Sequence, residues 1–377
     1  MMSGKMNEKR AVMMLIMRGP LLFIHQKKDY VALPYHFKKK GYEAFLFCWL
    51  KAQDAGESVR VIELAEGFPE YFKLGRLHRD ITDIIILLRL GCWIRKIRPS
   101  LIISYSYPPV IFATKLFLKV FRVKATLLAK MDWDGTVTAK GVRKLYEKCV
   151  LLPLLLFADR VCVESFEALE KVSLFVPFLK PKLRVIPSGV SKELIEKVPN
   201  VPRKKIILTV ARVSRIKGLE VLLKAFANLK RKDWRLVIVG PIHDVEYLEE
   251  LTALSESLKI SNKVTFTGET SDEKLAEWYG KASIFCLPSY NESCNSAMLE
   301  AMNAGIPMVV TKTGGSEYAN GAGMVVEVGD IDGLSKALEH LIKHPNIRKE
   351  KGKLGVKIGQ RFFWENICDQ WVQVVNK

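Results

Sequence analysis

Residues Pro288–Gly315 read PSYNESCNSAMLEAMNAGIPMVVTKTGG. The apolar run Ile284–Leu287 before them reads as a strand and stops at the proline. A polar loop follows, and the spacing over Ser296–Ala304 predicts a helix. Ser293, Asn295 and Ser296 are all competent N-caps. Gly305 and Pro307 then end the helix before a second apolar run, Met308–Thr311. Strand, loop, helix and strand make one βαβ unit of a parallel sheet. A helix start at the carboxyl edge of such a sheet offers free N–H groups and the positive end of a dipole, a setting that suits a diphosphate.

Two carboxylates flank that helix start in an E-x7-E spacing. Glu300, inside the helix, is placed to accept hydrogen bonds from ribose hydroxyls, and Glu292, in the loop, to contact a sugar. Taken alone, a solvated loop charge and a polar-face glutamate are the plainer reading of this spacing. A second segment, Thr209–Leu223 (TVARVSRIKGLEVLL), runs from a strand through a short basic loop into an amphipathic helix. Arg212 and Lys217 fall at the carboxyl end of that strand, where two cations can grip one diphosphate and stabilise charge on its departure. Surface cations beside a helix start are the plainer reading of this pair.

The βαβ pattern extends along the whole chain of 377 residues, a length that favours two domains. In the first half the predicted strands are 12–17, 43–47, 59–63, 101–104, 125–129 and 160–163, with helices over 30–40 and 80–97. The proline-rich stretch Pro187–Pro202 separates them from a second series at 206–210, 235–239, 263–267, 284–287, 308–311 and 324–326. The expected fold class is α/β: two Rossmann-like, doubly wound domains facing across a cleft. Residues 1–190 form the first domain, 191–203 a linker, 204–357 the second domain and 358–377 a terminal helix.

Charge is unevenly shared. Lys and Arg number 59 against 40 acidic residues, giving +19. Residues 1–180 hold 30 basic and 17 acidic residues (+13), and residues 181–377 hold 29 and 23 (+6). A basic first half suits an anionic membrane, a nucleic acid or a phosphorylated substrate, and equally a merely lysine-rich soluble surface. Seven cysteines show no CxxC pair, which signals neither a disulfide framework nor a zinc site and points to a reducing compartment. No apolar run predicts a transmembrane helix or a cleaved signal peptide. His340 and His344 have i,i+4 spacing but no carboxylate partner nearby, and no metal role is assigned to them.

Together these segments resemble the retaining glycosyltransferases of glycosyltransferase family 4, the group 1 family with the GT-B fold. The resemblance rests on the E-x7-E of NESCNSAMLEAMNAGIPMVV, the R-x4-K-G of ARVSRIKG, the IPSGV at Ile186–Val190, the FADRVCVES beginning at Phe157, and the terminal FWENICDQWVQVV. It covers nearly everything from Ala158 onward. It implies that Arg212 and Lys217 bind the donor phosphates, Glu300 the ribose and Glu292 the transferred sugar. It further implies that the backbone of Ser296, Ala297 and Met298 holds the diphosphate, that Gly268 lies beside the base, and that the last helix returns to the first domain. A nucleotide diphosphate sugar is then the co-substrate, with no cofactor and no metal.

The first half departs from the family pattern. The glycine pair after the first strand is reduced to Gly19 in MRGPLLF, and the histidine after the fifth strand is replaced in LLAKMDWDG. Asp132 and Asp134 are the polar groups offered there. Asp132 is the candidate catalytic partner of the acceptor hydroxyl, and a D-G turn at Asp134–Gly135 is the competing reading. The basic first half suggests a lipid-linked or phosphorylated acceptor, otherwise a saccharide, and a cytoplasmic enzyme that is peripheral on the inner membrane face if that half docks there. A phosphorylase of similar architecture lacks a lysine motif for pyridoxal here. A nucleic-acid or anionic-surface binding protein is the alternative, although no helix-turn-helix, RNP-like or zinc pattern accompanies the charge.

Overall fold

The computed structural model describes residues 11–21, 29–51, 60–64, 76–105, 108–131, 152–230 and 233–376. The chain divides into two compact units. The first runs to Glu164 and adds Ala168–Ile186 and the chain from Cys368; the second holds Ser165–Glu167 and Pro187–Ile367.

The first unit is built on a seven-stranded sheet in the order β3-β2-β1-β4-β5-β6-β7. Its strands are β1 Ala11–Leu21, β2 Glu43–Lys51, β3 Arg60–Glu63, β4 Leu101–Tyr105, β5 Thr126–Lys130, β6 Arg160–Val163 and β7 Leu183–Val185. Every pairing is parallel. Central parallel strands are covered on both faces, so they read as continuous apolar runs rather than alternating ones. Met13, Leu15, Phe47, Ile102 and Leu127 are accordingly buried to the last ångström. Helices α1 (Asp29–Lys39), α2 (Arg76–Ile97), α3 (Pro108–Val120) and α4 (Phe166–Phe175) connect the strands. In this unit Asp369 of the terminal helix accepts an ion pair from Lys40 at 2.6 Å.

The second unit carries a six-stranded sheet in the order β10-β9-β8-β11-β12-β13, parallel throughout. Its strands are β8 Ile206–Val210, β9 Arg235–Val239, β10 Val264–Phe266, β11 Ile284–Leu287, β12 Met308–Thr311 and β13 Gly323–Val326. Helices α5 (Leu219–Ala227), α6 (Val245–Ser257), α7 (Asp272–Lys281) and α8 (Ser296–Asn303) lie between them. Three of these starts use the expected chemistry. Asp244 accepts from the Tyr247 N–H at 2.8 Å, Ser271 from Lys274 at 3.3 Å and Asn295 from Met298 at 3.1 Å.

All twelve expected strands are present. Strand β7 was not foreseen, because three residues with a charge at the middle show no periodicity. The stretch expected as a linker contains a short helix, Lys192–Glu196, capped by Ser191. The terminal helix begins at Trp364, six residues after the expected position, because Pro345–Gly359 forms a helix of its own.

The glycine of IPSGV has a packing reason. A Cβ on Gly189 would lie 2.2 Å from the buried Trp364 ring. Backbone hydrogen bonds between Val190 and both Phe362 and Trp364 prevent the segment from backing away. Gly189→Ala is expected to cost about 2–3 kcal/mol by overpacking, read as a lower urea midpoint at unchanged slope.

Candidate active site

In an open parallel sheet, ligands bind outside the carboxyl ends of the strands where the order reverses. In the second unit that point lies between β8 and β11, from which the strand order runs outward in both directions. The loops leaving these two strands are Ala211–Gly218 and Pro288–Asn295. They carry Arg212, Lys217 and Glu292, and helix α8 with Glu300 starts directly after the second.

These loops are joined by several contacts. The Tyr290 N–H donates to the Ile216 carbonyl at 2.8 Å. Gly218 adopts φ +59°, and a Cβ there would lie 2.3 Å from the Pro288 carbonyl oxygen, so only glycine lets the loops meet. Across this junction Lys217 Nζ lies 2.6 Å from Glu292 Oε1. The same oxygen accepts from Ser289 Oγ at 2.6 Å and from Asn295 Nδ2 at 3.2 Å. Lys217 is 7% exposed, so its charge is largely removed from water and needs this partner. The two groups read separately from sequence, one for phosphate and one for sugar, are therefore a buried ion pair in the unliganded chain.

Asn295 is the N-cap of α8, and its side chain takes the Met298 N–H. The Met298 N–H, expected at the diphosphate, is taken by this cap in the unliganded chain. The N–H groups of Ser296 and Ala297 have no acceptor among the described residues. Glu300 is 6% exposed, and its Oε2 accepts from the Tyr279 hydroxyl at 2.7 Å. Burial and the adjacent carboxylate push the Tyr279 phenol well above its ordinary value, so it stays a donor. Arg212 is exposed at the end of β8. Gly268 has φ +68° and open space where a side chain would project, as a close ligand approach requires.

Sequence reasoning missed the supports of these loops. Gly314 has no room for a Cβ, which would meet the Glu292 carbonyl oxygen at 2.4 Å, so the TGG run packs on the Glu292 loop. The buried Thr311 hydroxyl donates to the Ser289 carbonyl at 2.6 Å. Glu220, at the start of α5, accepts from the hydroxyls of Tyr247 on α6 and of Tyr290, the latter at 2.5 Å. The Glu220 hydrogen bond is the largest cause pushing the Tyr290 phenol up to about 12. Arg215, between the two assigned cations, is engaged bidentately by Glu250 at 2.6 and 2.8 Å. With Tyr247 and Tyr290 this pair lines a hollow of about 460 Å³ beside the site.

Glu220 thus ties the loop that carries Glu292 to α5 and α6. Tyr290→Phe, at an exposed hydroxyl, is expected to cost under about 1 kcal/mol in unfolding free energy, and Glu220→Ala about 1–3 kcal/mol because it leaves the buried Tyr247 without its acceptor. Denaturant midpoints of the two variants check the order.

In the first unit the reversal lies between β1 and β4. Gly19 sits near the carboxyl end of β1, inside the register irregularity between Ile16 and Pro20. Asp132 and Asp134 lie outside the described residues. At the carboxyl ends of β5 and β6 the buried pair Lys130–Glu164 spans 2.9 Å, with Lys130 Nζ over the Tyr105 ring at 5.3 Å. The strand pattern gave no warning of a lysine buried at this edge. Among the described residues no group of three His, Cys, Asp or Glu is arranged to hold a metal.

Residues 190–357 match the family model of "Glycosyl transferases group 1". The match covers less than half of the chain and falls within its second unit. Among curated proteins, a D-inositol 3-phosphate glycosyltransferase of Corynebacterium jeikeium is 34% identical over 172 residues, which are 43% of this chain and 41% of that protein. One of the same name from Acidothermus cellulolyticus is 27% identical over 66% of this chain and 58% of its own length. The chain therefore aligns with about half the length of these relatives. Among solved structures, a glycosyltransferase from Rickettsia africae has a TM-score of 0.78 at 18% identity, covering 98% of both chains. The Anabaena protein HepE, solved with UDP and glucose, has a TM-score of 0.75 at 16% identity, covering 97% of this chain and 99% of its own. At these identities the likeness is one of fold: two doubly wound α/β units of the GT-B type.

Proposed function

We propose that the chain is a retaining glycosyltransferase that moves a sugar from a nucleoside diphosphate sugar onto an acceptor hydroxyl without using a metal. The observation that carries this reading is the Lys217–Glu292 pair at the strand-order reversal, adjacent to the α8 start with its open Ser296 and Ala297 N–H groups. Arg212, Lys217 and that helix start present positive charge to the donor diphosphate and to the charge that grows on it as the sugar leaves. Glu300, anchored by Tyr279, accepts from the ribose. Glu292 meets the sugar and balances the positive character developing at its anomeric carbon.

The acceptor falls to the basic first unit, with Asp132 as the candidate partner of its hydroxyl and Gly19 as the glycine that lets the first unit approach the donor. The two curated relatives above are named for D-inositol 3-phosphate, and an acceptor bearing phosphate or a lipid diphosphate suits the +13 charge of residues 1–180. The enzyme works in this reading at the cytoplasmic face of a membrane. Among the described residues no helix is long and apolar enough to cross one.

A thermal-shift screen against UDP, GDP, ADP and their sugars tests the donor half of the proposal. A ligand at one hundred times its dissociation constant adds about 2.7 kcal/mol of stability. A shift with one base, unchanged by chelator, is the expected result; no shift with any nucleotide overturns the proposal, and a shift abolished by chelator overturns its metal-free form.

A further inference from the structure

We propose that the outer face of α2, α3 and the turn Leu152–Phe157 is a docking surface for an anionic lipid bilayer. This extends the reading above by locating the partner of the basic first unit, and it stands or falls separately from donor binding.

Helices α2 and α3 and the turn form one layer on the seven-stranded sheet. Gly91 of α2 sits against Phe117 of α3, where an added Cβ would come within 2.9 Å of the ring. Phe112 of α3 packs edge-on against Phe157 of the turn with centroids 4.8 Å apart. Ile84 and Leu88 lie on the Gly91 side of α2 by helical spacing, facing the α3 border. Phe112, Leu116 and Val120 form an i,i+4 row along α3. All of these are exposed, from 41% at Phe112 to 61% at Val120, and Phe157 is 42% exposed. Scattered apolar residues on a surface need no explanation, but exposed apolar rows on two packed helices and on the turn beside them do.

Charge identifies the occupant. Residues 84–131 contain nine Lys and Arg and no Asp or Glu. Exposed Arg95 and Lys96 end α2, and Lys119, Arg122 and Lys124 lie at the end of α3 and in the turn beyond it. A second copy of the chain would cover the ridge only by bringing these cations together, since a twofold interface pairs a surface with itself. A nucleic acid would match the cations but leave the aromatic and aliphatic ridge in water. An anionic bilayer matches both, with headgroups meeting the lysines and arginines while the ridge enters the acyl boundary.

The test is co-sedimentation of the full chain with vesicles of phosphatidylcholine alone and of phosphatidylcholine with phosphatidylglycerol, at low and high salt. Binding only to the anionic vesicles, weakened by salt, is expected. Lys119→Ser with Lys124→Ser is expected to weaken it roughly twentyfold, about fivefold for each cation removed. Phe112→Ser with Leu116→Ser, or Ile84→Ser with Leu88→Ser, is expected to weaken it by at least about tenfold, with a cooperative melt retained and the nucleotide-induced shift unchanged. Equal sedimentation with both vesicle types, or none with the anionic ones, overturns the proposal. So does a dimer in sedimentation velocity that the Phe112 and Leu116 substitutions dissolve, because a second copy then covers the ridge.

Discussion

Lys217→Ala is expected to remove sugar transfer almost completely while also lowering stability, a joint loss that follows from its burial. The residue is 7% exposed, and its ammonium lies 2.6 Å from Glu292 Oε1. Removing it leaves Glu292 with two neutral donors, Ser289 and Asn295, and no counter-charge. Breaking a buried pair from one side costs about 3 kcal/mol. Catalytically, loss of one preorganised positive group aimed at a departing phosphate costs about 100- to 1,000-fold in turnover. The double variant Lys217→Met, Glu292→Met separates the two effects. It removes both charges, so its unfolding free energy should return close to that of the parent while transfer stays absent. Restored stability together with restored transfer would remove the pair from the mechanism.

The two glutamates are expected to fail in different ways. Glu300 is reached from the start of its own helix and held by Tyr279 at 2.7 Å, a geometry for ground-state binding of the nucleoside. Glu300→Ala should raise the donor dissociation constant by about 10- to 100-fold, the value of one or two hydrogen bonds to a charged group. Glu292→Gln keeps the shape of the loop and can still accept from Lys217. It loses the charge that balances the sugar in the transition state, so turnover should fall at least about 100-fold with little change in donor affinity. Steady-state kinetics with the donor found by thermal shift distinguish the cases: a rise in KM for one, a fall in kcat for the other. Equal effects on both constants in both variants would contradict the separate roles.

Much of the second unit was legible because its strands are short apolar runs bounded by glycine, proline and capping residues. Asn295 was one of three possible caps for α8, and only the folded loop, with its amide also reaching Glu292, selects it. The Lys217–Glu292 pair was not legible at all. The partners are 75 residues apart and meet only because β8 and β11 are neighbours in the sheet. The same holds for Glu220 with Tyr290, and for Gly314, whose need for a bare Cα comes from the Glu292 backbone. Helix propensity and spacing describe segments; the order of strands decides which loops share an edge. In the first unit the buried Lys130 runs against the rule that parallel strands are apolar, and Glu164 at the end of the adjacent strand and the Tyr105 ring give its charge partners.

The central claim is that the donor diphosphate binds at the reversal between β8 and β11. A crystal structure of the full chain with the nucleoside diphosphate selected by thermal shift tests it most directly. The account predicts the β-phosphate within hydrogen-bonding distance of the Ser296 and Ala297 N–H groups, Lys217 turned toward it from Glu292, and ribose hydroxyls on Glu300. A nucleotide seated instead in the hollow lined by Arg215, Tyr247, Glu250 and Tyr290, with the Lys217–Glu292 pair undisturbed, would contradict it.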